Sequence, residues 1–317
     1  MVKGSLVKRQ IIEKDGAPSR AQRVLKENDI LYQCVRPYQL NNYIFEGDTI
    51  QCVASTGYAQ LRTTQFPLYI FQALHTKQFT NQVLERCTGT NYPAINSSDL
   101  GTVEVSICSL PEQVKIGSLL ALIDSRIKTQ SKIIEEQETL LKSLADSLIS
   151  SQVANMAIND CVVARSSAMK ESELENSGPF PVFGASGLCG YSNEALEESD
   201  SILVTKDGSG VGTCQYATGT HAFLGTLCSL TAKEGVYLPY VYYALLNFNF
   251  ASFKTGLAIP HIYFKDYGKA VIYCPSYDEQ VRIASGLEKI EAKIKSDKEL
   301  LKQYQLQKEY LLSRMFI

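Results

Sequence analysis

The chain has 317 residues, 45% hydrophobic and 20% charged, which is enough for about two domains of ordinary size with real cores. Its 31 Lys and Arg against 33 Asp and Glu leave a net charge of -2, so the overall balance does not announce a nucleic-acid partner. No apolar run approaches the roughly 18 residues of a membrane span. Met1-Val2-Lys3-Gly4 opens no apolar leader, and the nine cysteines, none in a C-x-x-C pair, read as reduced thiols of a cytoplasmic protein, with Cys52, Cys108, Cys161 and Cys274 in apolar strand-like settings.

Residues 1–110 read as β-rich. Ile30 to Val35 and Gly101 to Cys108 have the β-branched and aromatic character of strands, and a helical patch runs from Pro67 to Leu84. From Pro111 the period changes. Ile123, Ile127, Gln130, Ile134, Gln137, Leu141, Leu144 and Leu148 alternate steps of four and three, a coiled-coil seam with two polar positions, on a helix expected to reach about Val153. Residues 160–275 return to β character. A second long helix is predicted from about Asp278 to Met315, with Ile290, Ile294, Asp297, Leu301, Tyr304, Lys308, Leu311 and Met315 on its seam. Helices of roughly 40 residues are about 60 Å long, and a narrow apolar seam of that length needs a partner. The two are therefore expected to pack on each other as an antiparallel coiled coil.

The chain also contains itself twice. At a constant spacing of 167, Thr88/Thr255, Gly89/Gly256, Pro93/Pro260, Ile95/Ile262, Asp99/Asp266, Gln113/Gln280 and Ile123/Ile290 are identical, and every seam residue of the second helix lies 167 after its counterpart. Ile30 to Gln33 matches Ile202 to Thr205, and Phe66-Pro67 matches Leu238-Pro239, both at 172, so a five-residue length difference precedes the Thr-Gly turn. The period is too long for a solenoid unit of about 20–50 residues. It marks a duplicated domain, and a pseudo-dimer suits a target that itself comes in two halves, of which duplex DNA is the commonest. The fold class is α+β: two β-rich domains, each followed by a long helix.

No catalytic constellation stands out. His75, His221 and His261 have no metal-ligand spacing around them. Gly208-Ser209-Gly210-Val211-Gly212 follows a strand but leads into a turn- and strand-like stretch rather than a helix, so it lacks the anion-binding helix N-terminus of a dinucleotide loop. What remains is a set of Gly-, Pro- and aromatic-rich loops carrying polar and basic residues, the usual place for recognition. The DNA-contact candidates are Ser19, Arg20, Arg23, Arg36, Tyr38 and Arg62 in the first domain, and Ser186, Lys206, Ser209, His221 and Lys254 in the second. Arg20, Arg23, Arg36, Lys206 and Lys254 are expected on a DNA face, because Arg matches the guanine edge and Lys holds phosphate. Charge is uneven: residues 1–110 hold 11 Lys/Arg against 9 Asp/Glu, whereas residues 160–275 hold 7 against 11. The acidic second domain weakens a purely phosphate-driven footprint.

These residues carry a resemblance. Gly178 to Tyr191 (GPFPVFGASGLCGY) with Ile202 to Gly212 (ILVTKDGSGVG), Pro18 to Tyr38 (PSRAQRVLKENDILYQCVRPY), Thr88 to Leu100 (TGTNYPAINSSDL), Pro111-Glu112-Gln113 and the ending Leu311 to Ile317 (LLSRMFI) resemble the specificity subunit of type I restriction-modification systems over nearly the whole chain. The resemblance implies a target-recognition domain at 1–110, a central helix at 111–155, a second target-recognition domain at 156–275 and a C-terminal helix at 276–317. It implies a non-catalytic subunit whose two domains each read one half of a bipartite, asymmetric site in double-stranded DNA. The helices would set the spacing and dock two modification (methyltransferase) subunits, and restriction subunits would join. S-adenosylmethionine, ATP and Mg would belong to those partners, with no cofactor or metal in this chain. One departure stands out: 29 residues precede Ile30, against about 45 between the first helix and Ile202, so the first domain is expected to lack its opening strand or strands. The alternatives are an incomplete or recombinable cassette, a type IIB-like specificity subunit, or a coiled-coil scaffold that binds no DNA.

Overall fold

The computed structural model describes residues 6, 10–11, 13, 16–48, 50–89, 91–256 and 259–316. Thr90, Ile317 and part of the opening segment, which the resemblance also touches, lie outside the described residues. The chain divides into two units, residues 1–132 with 298–317, and residues 133–297.

In the first unit β2 (Ile30–Gln33) is the central strand of a three-stranded antiparallel sheet, between β3 (Tyr43–Ile44) and β5 (Tyr58–Leu61). A separate antiparallel pair joins β1 (Ala21–Val24) to β4 (Val53–Ser55). Ile30 and Tyr32 are fully buried, against Leu74, Phe79 and Val83 from the helices that cover the sheet, with the Tyr32 and Phe79 rings edge-on at 5.8 Å. The predicted patch Pro67 to Leu84 is two helices, α1 (Pro67–Ala73) and α2 (Lys77–Glu85). Pro67 starts α1, where its missing N–H costs nothing, and the Thr76 hydroxyl accepts from Phe79 N at 3.2 Å, capping α2 and breaking the run.

The second unit is built on a four-stranded antiparallel sheet in the order β11 (Cys214–Ala217), β10 (Ser201–Thr205), β13 (Leu227–Ala232), β7 (Val162–Ser166). Every residue of β10 is buried, the expected state of a central strand covered on both faces. A second sheet, β12 (Ala222–Phe223), β8 (Phe180–Gly184), β9 (Gly187–Ser192), supplies Val182, Phe183, Ala222 and Phe223 to its core, and α6 (Leu238–Leu246) contributes Tyr240, Val241 and Leu245.

The duplication is structural. Ile30 pairs with Ile44 as Ile202 pairs with Tyr216, and with Leu61 as Ile202 pairs with Leu230, so β3-β2-β5 repeats as β11-β10-β13; the spacing of 172 holds for the first two strands and falls to 169 at the third. The helix after it is one residue different from the match of Phe66 with Leu238. Phe66 N donates to Gln113 Oε1 and Tyr237 N to Gln280 Oε1; Tyr69 Oη donates to Ser106 O and Tyr240 Oη to Tyr273 O. The equivalent residues are therefore Phe66 and Tyr237, and the two prolines occupy adjacent positions of the first turn, both of which tolerate proline. A further correction concerns Gly101 to Cys108: Gly101 and Thr102 form a turn, and residues 103–108 join no sheet among the described residues. Its counterpart β14 (Val271–Ile272) is a strand because β6 (Met156–Ala157) pairs with it. β7 likewise has no counterpart among the described residues, so the first sheet has three strands where the second has four.

The long helices are α4 (Leu110–Ala145), which passes into a π turn at Asp146–Ser150, and α8 (Tyr277–Met315). Ile123, Ile134 and Leu141 are buried and Ile127 and Leu144 half-buried; on α8, Ile294 is buried and Ile290, Leu301, Tyr304 and Leu311 are half-buried. Leu148 breaks the predicted seam: it is 40% exposed, while Ile149 is 2% exposed. The π turn inserts one residue, so the inward position slips by one. In each unit the two helices run antiparallel. In the first, Lys308 Nζ meets Asp124 Oδ1 at 2.6 Å, while Phe316 packs on Tyr69, whose backbone lies against Gly117. In the second, Gln137 Nε2 donates to Asp297 Oδ2 at 2.9 Å, while Asn247, just past α6, donates to Lys142 O and Tyr243 of α6 reaches Glu291.

Candidate nucleic-acid interface

In the first unit the chain leaves β2 through Val35-Arg36-Pro37 and turns at Pro37–Gln39. The loop Thr88–Ala94 lies beside it: Val35 bridges to Ala94, and Arg36 N donates to Pro93 O at 2.8 Å. The Arg36 guanidinium stacks over the Tyr92 ring, 4.3 Å from its centroid, and Tyr92 is 64% exposed. Tyr38 is about half exposed on the same turn. A planar cation and exposed rings at a strand end can stack on, and hydrogen-bond to, base edges.

The second unit repeats this frame with other side chains. The chain leaves β10 through Lys206-Asp207-Gly208. Asp207 bridges to His261, Gly208 N donates to Pro260 O at 3.0 Å, and Ile262 N donates to Lys206 O at 2.9 Å. Ser209 is exposed at the loop tip. Lys254 is exposed at the mouth of an open cavity of about 390 Å³ lined by Gly212, Thr213, Phe248 and Phe250 among others, so the Gly-rich loop and Lys254 come together. Gly212 is required there: its φ is +90° and a Cβ would meet Phe250 Cβ at 2.7 Å.

The remaining candidates separate. Ser186 is exposed at the β8–β9 turn. Ser19 and Arg20 are exposed and Arg23 is half-buried on β1, with Thr56 N donating to Arg20 O at 2.8 Å. Arg62 is not available as a guanine fork. Its Nε and Nη2 both hold Asp29, each at 2.7 Å, and Asp29 is fully buried. Two further donors, Lys26 N at 2.7 Å and Gln60 Nε2 at 2.6 Å, complete that carboxylate. Burial raises the Asp29 pKa, but these partners outweigh it and hold the carboxyl below the ordinary carboxylate range. His221 is fully buried, with Nε2 2.9 Å from Ser201 Oγ and Nδ1 2.8 Å from Gly219 O, so it orders the core of the second unit and offers no edge to DNA. His75 is similar: Nδ1 is 2.7 Å from Phe71 O, and burial lowers its pKa. Tyr92 and the Phe248/Phe250/Phe253 cluster were not singled out by sequence. The signal for Tyr92 was its place beside Pro93 in the repeated loop.

All nine cysteines are unpaired, Cys161 and Cys274 being buried and Cys52 and Cys108 half-buried. Among the described residues no three His, Cys, Asp or Glu side chains gather as metal ligands, and no helix is long and apolar enough to cross a membrane.

Residues 151–305 match the family model described as the type I restriction modification DNA specificity domain. Through that domain, just under half of its length, the chain is similar to the specificity subunits of type I systems. Two curated members of the family are similar to it. The type I restriction enzyme EcoprrI specificity subunit of Escherichia coli is 22% identical over 117 residues, 37% of this chain and 29% of that protein. The HindI specificity subunit of Haemophilus influenzae is 24% identical over 133 residues, 40% of this chain and 29% of that one. The matched stretch thus spans under a third of either relative. Solved structures extend the likeness of fold. The S subunit of the type I system of M. genitalium covers 97% of this chain and 92% of its own at a TM-score of 0.68 and 18% identity. A chain from a study of complex assembly and conformational transition of a type I R-M system covers 99% and 87% at 0.57 and 18%. The α+β fold expected from sequence is shared with these solved S subunits.

Proposed function

We propose that the chain is the sequence-specific DNA-binding subunit of a type I restriction-modification complex, each unit reading one half of a bipartite, asymmetric site. One observation carries this reading: the same turn, tied by the same backbone bond (Arg36 to Pro93, Gly208 to Pro260), recurs in both units with unlike exposed side chains. A constant frame with variable loops is what two different half-sites require. The long helices take the modification subunits. Each unit's stretch of α4 has an outward apolar pair, Leu119 with Leu122 and Ile133 with Leu140, all exposed. S-adenosylmethionine, ATP and Mg would be held by the partner subunits, restriction subunits included, the complex would act in the cytoplasm, and this chain would have no catalytic role.

The test is methylome sequencing of a methylation-free host expressing the chain with its neighbouring modification subunit. One bipartite adenine-methylated motif is expected. No motif, although both proteins are soluble and co-purify, would refute the reading in favour of a scaffold that binds no DNA. A motif with a single specified half would instead mean that the chain reads DNA through one unit only.

A further inference from the structure

Three non-glycine residues among those described have left-handed backbone: Asn28, Arg36 and Leu40. Asn tolerates this region; Arg does not, and Arg36 (φ 54°, ψ 56°) also precedes Pro37, whose ring disfavours helical backbone in the residue before it. The repeat shows what the position asks for. Its equivalent in the second unit is Gly208, at φ +97°, making the same N–H bond to the equivalent proline. Arg36 therefore occupies a glycine position. Across the loop, Tyr92 is matched by Ile259, so half-buried Arg36 and exposed Tyr92 are replaced together in the other unit. Nothing structural in the frame needs them, since the second unit builds the frame without them.

We infer that the Arg36–Tyr92 pair is the base-reading element of the first unit, Arg36 donating its fork to guanine O6 and N7 in the major groove while Tyr92 holds the guanidinium plane. The inference rests on the proposed DNA-reading role and names the base class of one contact. Strain persists where surrounding structure imposes it and a function uses it. Stacking leaves the outer N–H groups free for a planar acceptor pair, which Arg matches and Lys does not.

The experiment repeats the methylome measurement with full-length Arg36→Gly, Arg36→Lys, Tyr92→Phe and Tyr92→Ala beside the wild type, with thermal melting of each purified protein. Both Arg36 variants are expected to lose guanine preference at one position of one half-site, about 10- to 100-fold, and to leave the other half unchanged. Tyr92→Phe keeps the motif and Tyr92→Ala weakens the same position. Arg36→Gly is expected to melt close to the wild type, because relief of left-handed strain offsets the larger unfolded entropy of glycine. A wild-type motif that survives Arg36→Gly intact overturns this inference alone. So does uniform weakening without change of motif, the mark of a phosphate contact, or a sharp fall in melting temperature, the mark of a structural stack. A wild type with no motif removes the DNA reading and this inference with it.

Discussion

Asp29 is a charge with no water around it, and its four hydrogen bonds come from Arg62, Lys26 N and Gln60. A carboxyl whose folded pKa lies below its unfolded value near 3.9 binds protons more tightly when unfolded. Its contribution is then fully present above about pH 5 and is lost as pH falls through the depressed folded value. Denaturant midpoints measured from pH 7 down to about 2.5 should fall steeply below pH 4 in the wild type and less so in Asp29→Asn; parallel curves would show that another group sets the acid limb. Arg62→Ala should lower the denaturant midpoint at pH 7, since Asp29 loses two charge-assisted bonds while half-exposed Arg62 gives up only partial solvation. Arg62 also shows where sequence reading stops. A basic residue in a loop was visible; a buried acid 33 positions earlier that claims its Nε and Nη2 was not. His221 failed for the same reason, because its partner Ser201 lies 20 positions away on the central strand. Arg36 was legible as a candidate, but its strain appears only when the backbone is seen beside Gly208.

The long helices were the most legible elements, because an apolar residue every three or four positions admits one reading over seven turns. The error at Leu148 is a one-residue slip that no side-chain pattern announces, since Leu148 and Ile149 are equally apolar. The π turn separates them sharply. Ile149→Lys should prevent cooperative folding of the second unit, and Ile149→Ala should cost about 2–4 kcal/mol, whereas Leu148→Lys should change stability by less than about 0.5 kcal/mol. Equal losses at both positions, measured by chemical denaturation, would mean the helix stays α-helical to Ser150. Gly117 makes the opposite case, a residue that propensity would replace. Alanine there gains up to about 1 kcal/mol of helix propensity, but its Cβ would stand 2.7 Å from Tyr69 N and 3.0 Å from the Phe66 ring. Backbone cannot step aside as a flexible side chain can, so the clash wins, and Gly117→Ala should destabilise by about 1–3 kcal/mol. The equivalent position in the second unit is already a buried alanine, Ala284, so the close approach belongs to the first unit alone.

At the scale of the whole molecule the difficulty is charge. A net of -2, with residues 160–275 carrying 11 acidic against 7 basic residues, leaves few cations to displace counterions. If the chain reads DNA, each well-placed Lys must then carry a large share of the salt dependence. Lys254 is the sharpest case, exposed beside the glycine-rich loop with ring-lined space next to it. For the chain assembled with its modification subunits, the log of affinity should fall with the log of salt concentration by about 0.9 per phosphate neutralised. Lys254→Ala should reduce that slope by about one and weaken binding to all sequences alike, while Lys254→Arg restores the slope. Arg36→Gly should instead leave most of the slope and change the preferred sequence. The two variants thus separate holding from reading within one chain. A slope near zero in the wild-type complex would mean that no phosphate is neutralised, and the acidic second unit would then belong to a scaffold that meets proteins and not DNA.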